Sequence, residues 1–219
     1  MKNFNQYITE KIKLSNDRFK NQHNEFGYVD LDLPSGTLWA TCNLGAKEPT
    51  ATGNFYAWGE TEPNKPEYGW DSYEFGYKKA LTKYTDDDGL KILKPEDDAA
   101  YVELGREYHV PSYDQVHELI KNTKATRFYT DSDINCVELK SIHNDKSIIF
   151  PLTGYYSPSD AINPKRLCFE NSGTLLWISC LSNTTDTHAT AFYIDFYRNE
   201  PYITYKDRCN GFQIRPVKN

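Results

Sequence analysis

The first clear pattern of apolar and polar positions is helical. Over residues 2–14, Phe4, Tyr7, Ile8 and Ile12 fall at i, i+3, i+4 and i+8 and so share one face of a helix. Asn3 stands where a cap belongs, and Lys11 and Lys13 sit near the end, where positive charge suits the helix dipole. A helix this short is marginal alone in water. It therefore reads as an element ordered only by packing on its own domain, on another copy, or on a larger assembly. Residues 15–25 read as a polar linker, which divides the chain into a possible assembly tether at 1–25 and a domain at 26–219.

From Phe26 onward the pattern shortens. Gly, Pro, Asn and Asp punctuate brief apolar runs, the signature of strands and turns. Tyr28–Leu33 alternates and predicts a strand, Pro34-Ser35-Gly36 a turn, and Thr37–Cys42 a second strand. Asn54–Trp58 is short and aromatic. Residues 60–78 are irregular and rich in rings, and Asp86–Gly89 is a turn. Two helices follow. Pro95–Glu103 opens with Pro and acids in the first turn. Tyr113–Asn122 begins with a Ser112/Gln115 capping box and carries Val116, Leu119 and Ile120 as its apolar stripe. The rest predicts strands at Cys136–Leu139, Ser147–Leu152, Leu175–Leu181, Ala189–Tyr197, Ile203–Tyr205 and Gln213–Val217. Strands, then two helices, then strands imply one α+β domain.

Composition adds an unusual supply of rings: 17 Tyr, 11 Phe and 4 Trp in 219 residues. Such rings fill an irregular core with their polar tips hydrogen-bonded, or they furnish a rigid contact surface. The net charge of −6 gives no long-range attraction for phosphate backbones, so nucleic acid is not an expected partner. No stretch is long and apolar enough for a membrane span, and Asn3–Lys13 lacks the apolar run of a signal peptide. Cys42, Cys136, Cys168, Cys180 and Cys209 are an odd set without a CxxC, which reads as reduced, buried thiols.

The catalytic and metal constellations fail on spacing. There is no phosphate-binding Gly loop and no G-x-S-x-G elbow. His117-Glu118 starts like a zinc-protease helix, but Lys121 stands where the second His belongs. Asp86, Asp88 and Gly89 fit part of a calcium loop whose first and last positions, Tyr84 and Pro95, are wrong. Asp97 and Asp98 are adjacent and diverge on a helix, so they form no acid–base pair. Glu62-Pro63-Asn64 spells a sugar-binding tripeptide of calcium-dependent lectins, but no Trp-Asn-Asp follows it. No catalytic residue, metal site or cofactor is expected.

An ordered series of motifs runs along the domain. It comprises YVDLDLPSGTLWATCNLGA at Tyr28–Ala46, FYAWGET at Phe55–Thr61, LKPEDDAAYVELG at Leu93–Gly105 and VPSYDQVHELI at Val110–Ile120. IFPLTGYY at Ile149–Tyr156, the strand around Trp177 and RCNGFQIRPV at Arg208–Val217 complete it. This series resembles the Fibrobacter succinogenes major paralogous domain. Two stretches depart from the family pattern, Tyr108–Pro111 and Leu176–Ser179. The resemblance implies a C-type-lectin-like domain, two helices with twisted antiparallel strands, acting as a non-catalytic binding module. Its relatives diversified by retroelements bind through a surface near the C-terminal end. On this chain that surface matches Asn183, Thr185, Asp186, His188, Tyr193, Tyr197, Arg198, Tyr202, Tyr205 and Arg208 as ligand contacts. The opening MKNFNQYITEKIKL is similar to those of crAss-like and other Bacteroidales phage proteins. Together these imply a phage virion component, a head decoration or fibre, tethered to capsid or to further copies through Phe4, Tyr7, Ile8 and Ile12. The alternative is a Bacteroidetes adhesin on the cell surface or outside the cell, binding a glycan or protein receptor.

Overall fold

The short runs fold mainly as short strands, with two short helices among them. The computed structural model describes residues 27–158, 167–198 and 200–219, so the tether helix expected at 2–14, with Phe4, Tyr7, Ile8 and Ile12, lies outside the described residues. The elements in chain order are β1 (Tyr28–Asp30), β2 (Leu38–Ala40), β3 (Gly76–Tyr77), β4 (Ala80–Leu81), a 3-10 turn (Pro95–Asp97), α1 (Ala99–Leu104) and α2 (Tyr113–Lys121). Then come β5 (Thr123–Tyr129), β6 (Asn135–Ser141), β7 (Ser147–Pro151), β8 (Thr153–Tyr156), β9 (Leu167–Glu170), β10 (Gly173–Leu181), β11 (His188–Asp195), β12 (Tyr202–Asp207) and β13 (Val217–Lys218). A five-stranded sheet in the order β12-β11-β10-β8-β9 is central. Sheets β5-β6-β7 and β1-β2-β13 and the small β3-β4 hairpin surround it.

The expected α+β, C-type-lectin-like architecture is overturned. Strand accounts for 37% of the described residues and helix for 10%, and the sheets curl into a half-barrel. The two helices are present but minor, at six and nine residues. The first is shortened by its own sequence. Asp98 is extended at φ −96, ψ 105, and its carboxylate caps Tyr101 N at 3.0 Å. That cap splits the expected Pro95–Glu103 helix into a 3-10 turn and a short α-helix, because an Asp side chain competes for backbone donors where a helix would use carbonyls.

Strands β10 and β11 are buried on both faces, which explains their near-continuous apolar runs. One face, carrying Leu175, Trp177, Leu181, Ala189, Ala191 and Tyr193, belongs to a first core that the aromatic stretch Phe55–Tyr84 closes. The other face, with Leu176, Ile178, Phe192 and Ile194, belongs to a second core. That core is closed by Val137, Leu139, Ile148 and Phe150 of β6 and β7, by Val116 and Leu119 of α2, and by Val29, Trp39 and Val217. The irregular aromatic stretch makes few ladder bonds, so polar ring tips satisfy the backbone instead. Tyr68 Oη donates to Phe55 O at 2.6 Å and Tyr73 Oη to Trp58 O at 2.7 Å. Trp58 Nε1 donates to Ile178 O and Trp177 Nε1 to Tyr56 O, both at 2.8 Å.

The segment expected as a strand at Gln213–Val217 is instead a central thread, strand only at its end. Phe212 stacks on Trp177 with ring centroids 4.1 Å apart. Gln213 accepts from Asn43 Nδ2 and Gly53 N, both at 2.8 Å. Arg215 is buried and, among the described residues, has no carboxylate partner. It donates to Asn43 Oδ1, Ala40 O, Thr41 O and Ile149 O and lies over the Phe150 ring. Burial pulls its guanidinium below the usual arginine range.

Candidate functional site

Antiparallel register decides where the ten expected contacts fall. His188 pairs with Asp207 and Tyr193 with Tyr202, so the set is strung along the β11–β12 hairpin rather than gathered. Five residues of strand separate those pairs, roughly 17 Å at ~3.4 Å per residue.

At one end lie Asn183, Thr185, Asp186 and His188. Asn183 is exposed. Thr185 is paired with Thr187 Oγ1 at 3.0 Å. His188 touches Thr187 Oγ1 through Nδ1 at 3.0 Å and Asp207 Oδ1 through Nε2 at 3.4 Å. Asp186 lines a polar cleft of about 210 Å³ with Lys78, Lys79, Leu81, Thr85, Asp86 and Asp87. The neighbouring Asp88 carboxylate is turned inward to its own loop, accepting from Tyr84 N, Thr85 N and Leu90 N. Those three donors, with a minor contribution from Arg208, hold it below the usual carboxylate range although burial opposes them.

Arg208 is corrected from contact to internal support. Its side chain is fully buried. Nε donates to Tyr73 Oη at 2.8 Å, Nη1 to Tyr84 O and Asp186 O at 3.0 Å, and Nη2 to Lys83 O at 2.9 Å. The rings of Trp58, Tyr73 and Tyr84 surround the guanidinium at 5.1–5.7 Å. A planar fork suits such a nest of carbonyls and ring faces. It fastens both walls of the polar cleft, the Lys83–Tyr84 loop and the Asp186 loop, to one buried cation.

At the other end the structure brings Tyr193, Tyr197, Arg198 and Tyr202 together. Tyr193 is buried and meets the Tyr202 ring edge-on at 5.2 Å. Its hydroxyl lies 3.3 Å from Asp195 Oδ2. The Arg198 guanidinium lies 4.7 Å over the Tyr202 ring. Tyr197 is 82% exposed and touches Phe196, which in turn meets Tyr129 of β5 at 5.3 Å. Burial and neighbouring Asp195 raise the Tyr193 phenol. Tyr205 stands apart on the edge strand β12, opposite Thr190.

Four rings of this end were not among the expected contacts: Tyr129, Tyr155, Phe169 and Phe196. Tyr155 is buried beside Cys168, and its phenol is raised to about 12 by burial. Phe169 stacks on Tyr155 at 5.6 Å with an interplanar angle of 11° and keeps 56% of its surface exposed. The missed signal was local. CFENSG, at Cys168–Gly173, places a ring beside turn-forming residues between two strands.

Among the described residues no group of three His, Cys, Asp or Glu side chains is placed to hold a metal ion. All five cysteines are free. No described helix is long and apolar enough to cross a membrane. Comparison with protein-family models, with curated proteins and with solved structures finds no match.

Proposed function

We propose that this chain is a non-catalytic binding and display module whose contact surface is the aromatic end of the β11–β12 hairpin, carried on a phage particle by its N-terminal segment. The observation that supports the contact surface most is Tyr197, 82% exposed at the turn of a hairpin whose strand β11 is locked between two cores. A ring costs little conformational entropy to immobilise, so an exposed aromatic on a rigid scaffold is an efficient anchor. Its chain neighbour Arg198 lies over the Tyr202 ring, which adds a polar and a π group to the same turn. The ordered motif series from Tyr28 to Val217 supports the binding role, and the N-terminal opening supports the virion placement.

Two measurements test the reading. Mass spectrometry of purified phage particles is expected to recover the chain. Recovery only from washed bacterial cells assigns the module to a bacterial surface and overturns the virion placement. The labelled full-length chain is expected to bind Bacteroidetes cells, and Tyr197→Ala with Tyr202→Ala to weaken that binding by about tenfold or more with unfolding unchanged. Equal binding by the variant removes the contact surface from this end of the hairpin.

A further inference from the structure

Strand β5 is the free edge of the β5-β6-β7 sheet, and among the described residues no strand lies beyond it. Its register against β6 runs unbroken from Thr123↔Ser141 to Tyr129↔Asn135, with neither a Pro nor a bulge to blunt the edge. In an antiparallel ladder, paired residues alternate between exchanging hydrogen bonds and turning their N–H and C=O away. The two ends of β5 fix the phase. Thr130 N donates to Ile134 O and Ile142 N to Asn122 O, both at 3.0 Å. Asn122 and Thr130 therefore face β6, and so do Lys124, Thr126 and Phe128 between them. Thr123, Ala125, Arg127 and Tyr129 point their main-chain donors and acceptors outward, where no other described segment takes them up. A flat edge rich in Thr, Phe and Tyr is a template for another strand.

This strand is complementary to itself. Laid antiparallel about Thr126, two copies set Thr123 opposite Tyr129 and Ala125 opposite Arg127. All four outward residues of each copy then exchange hydrogen bonds, about eight across the seam. No cation falls directly opposite a cation: Lys124 meets Phe128 and Arg127 meets Ala125. The ends match in charge as well. Lys121 and Lys124 are exposed at the start of the strand, and Asp131 and Asp133 are exposed just past its end. Antiparallel pairing brings the basic start of each copy to the acidic end of the other. Parallel pairing would set like ends together. Sliding the register by two residues leaves an outward residue of each copy unpaired and, in one direction, puts Arg127 opposite Arg127.

We propose that two copies of this chain join through β5, antiparallel about a two-fold axis at Thr126, so that their three-stranded sheets become one. An unrelated strand would use the same outward groups; the reciprocal charge at both ends of the seam is what selects a second copy. The pairing stands apart from the contact surface proposed above, and neither requires the other. It does set their relation. Tyr129 closes β5 and touches Phe196, which touches Tyr197, so the dimer carries one such ring cluster beside each end of its seam.

Sedimentation velocity of the full-length chain between about 1 and 100 µM is expected to show its mass doubling as concentration rises. Ala125→Pro removes an outward N–H and leaves the bonds to β6 in place, so the dissociation constant is expected to rise about tenfold or more. Should that variant not fold, charge reversal decides. Lys121→Glu or Asp131→Lys alone sets like charges together and is expected to weaken the dimer about fivefold, and the two changes in one chain to restore it. A monomer across the whole range overturns the proposal. A dimer indifferent to these changes places the contact elsewhere and overturns it too. A double variant as weak as the single ones overturns the antiparallel register.

Discussion

At the scale of single residues, the most consequential side chains are buried cations that satisfy backbone rather than carboxylates. Arg208 donates to three main-chain carbonyls and one phenol inside a nest of rings. Arg208→Met leaves those carbonyls unpartnered in the core and is expected to cost about 3 kcal/mol or more, read as a lower urea midpoint. Arg208→Lys keeps the charge but loses the fork and recovers only part of it. A loss under about 1 kcal/mol for the Met variant would contradict internal support. The family resemblance assigned Arg208 to the contact surface because it falls in the C-terminal stretch through which the diversified relatives bind. Its burial depends on Tyr73 and Tyr84, more than a hundred residues earlier in the chain, which no local pattern reveals. Phe169 escaped notice for a different reason: CFENSG signals a ring beside a turn, but not that the ring's residue is left-handed and left exposed.

Elements were legible where one local signal decides them. The Ser112/Gln115 capping box fixed the start of α2, and both halves of the box form. The Gln115 amide does more than cap, donating to Thr37 Oγ1 at 3.2 Å and to Asn219 Oδ1 at 2.9 Å. Ser112→Ala is therefore expected to cost roughly 1 kcal/mol of unfolding free energy. Gln115→Ala should cost more, because it also unties α2 from the start of β2 and from the C-terminus. Equal costs would reduce Gln115 to a cap alone. Strands β10 and β11 were equally legible, since burial on both faces makes their apolar runs nearly continuous. Edge strand β5 was not, because Thr123–Tyr129 alternates between half-buried and exposed positions without a strong apolar face. The same two-sided burial misled the site reading. Along β11 only the ends reach solvent, so the expected contacts divide into a polar cleft and an aromatic end.

At the scale of the whole molecule, the last residues hold the rest together. Gly211–Val217 exchanges main-chain hydrogen bonds with five separate segments: Tyr156, Tyr56, Leu175 with Trp177, Ala40 with Leu44, and His109. Phe212 and Ile214 enter the first core and Val217 the second, so one short thread joins both. Removing it opens both cores and strands backbone groups in each. A chain ending at Asn210 is expected to show no cooperative urea transition and no near-ultraviolet signal from the buried Trp39, Trp58 and Trp177. A chain starting at Gly27 keeps every described buried residue of both cores and is expected to unfold cooperatively, near the full-length midpoint, while the proposed tether predicts that it is no longer recovered with phage particles. The two truncations separate folding from mounting. Cooperative unfolding without 211–219 would show that the cores close independently of the thread. Collapse without 1–26 would make the N-terminal segment part of the fold rather than its tether.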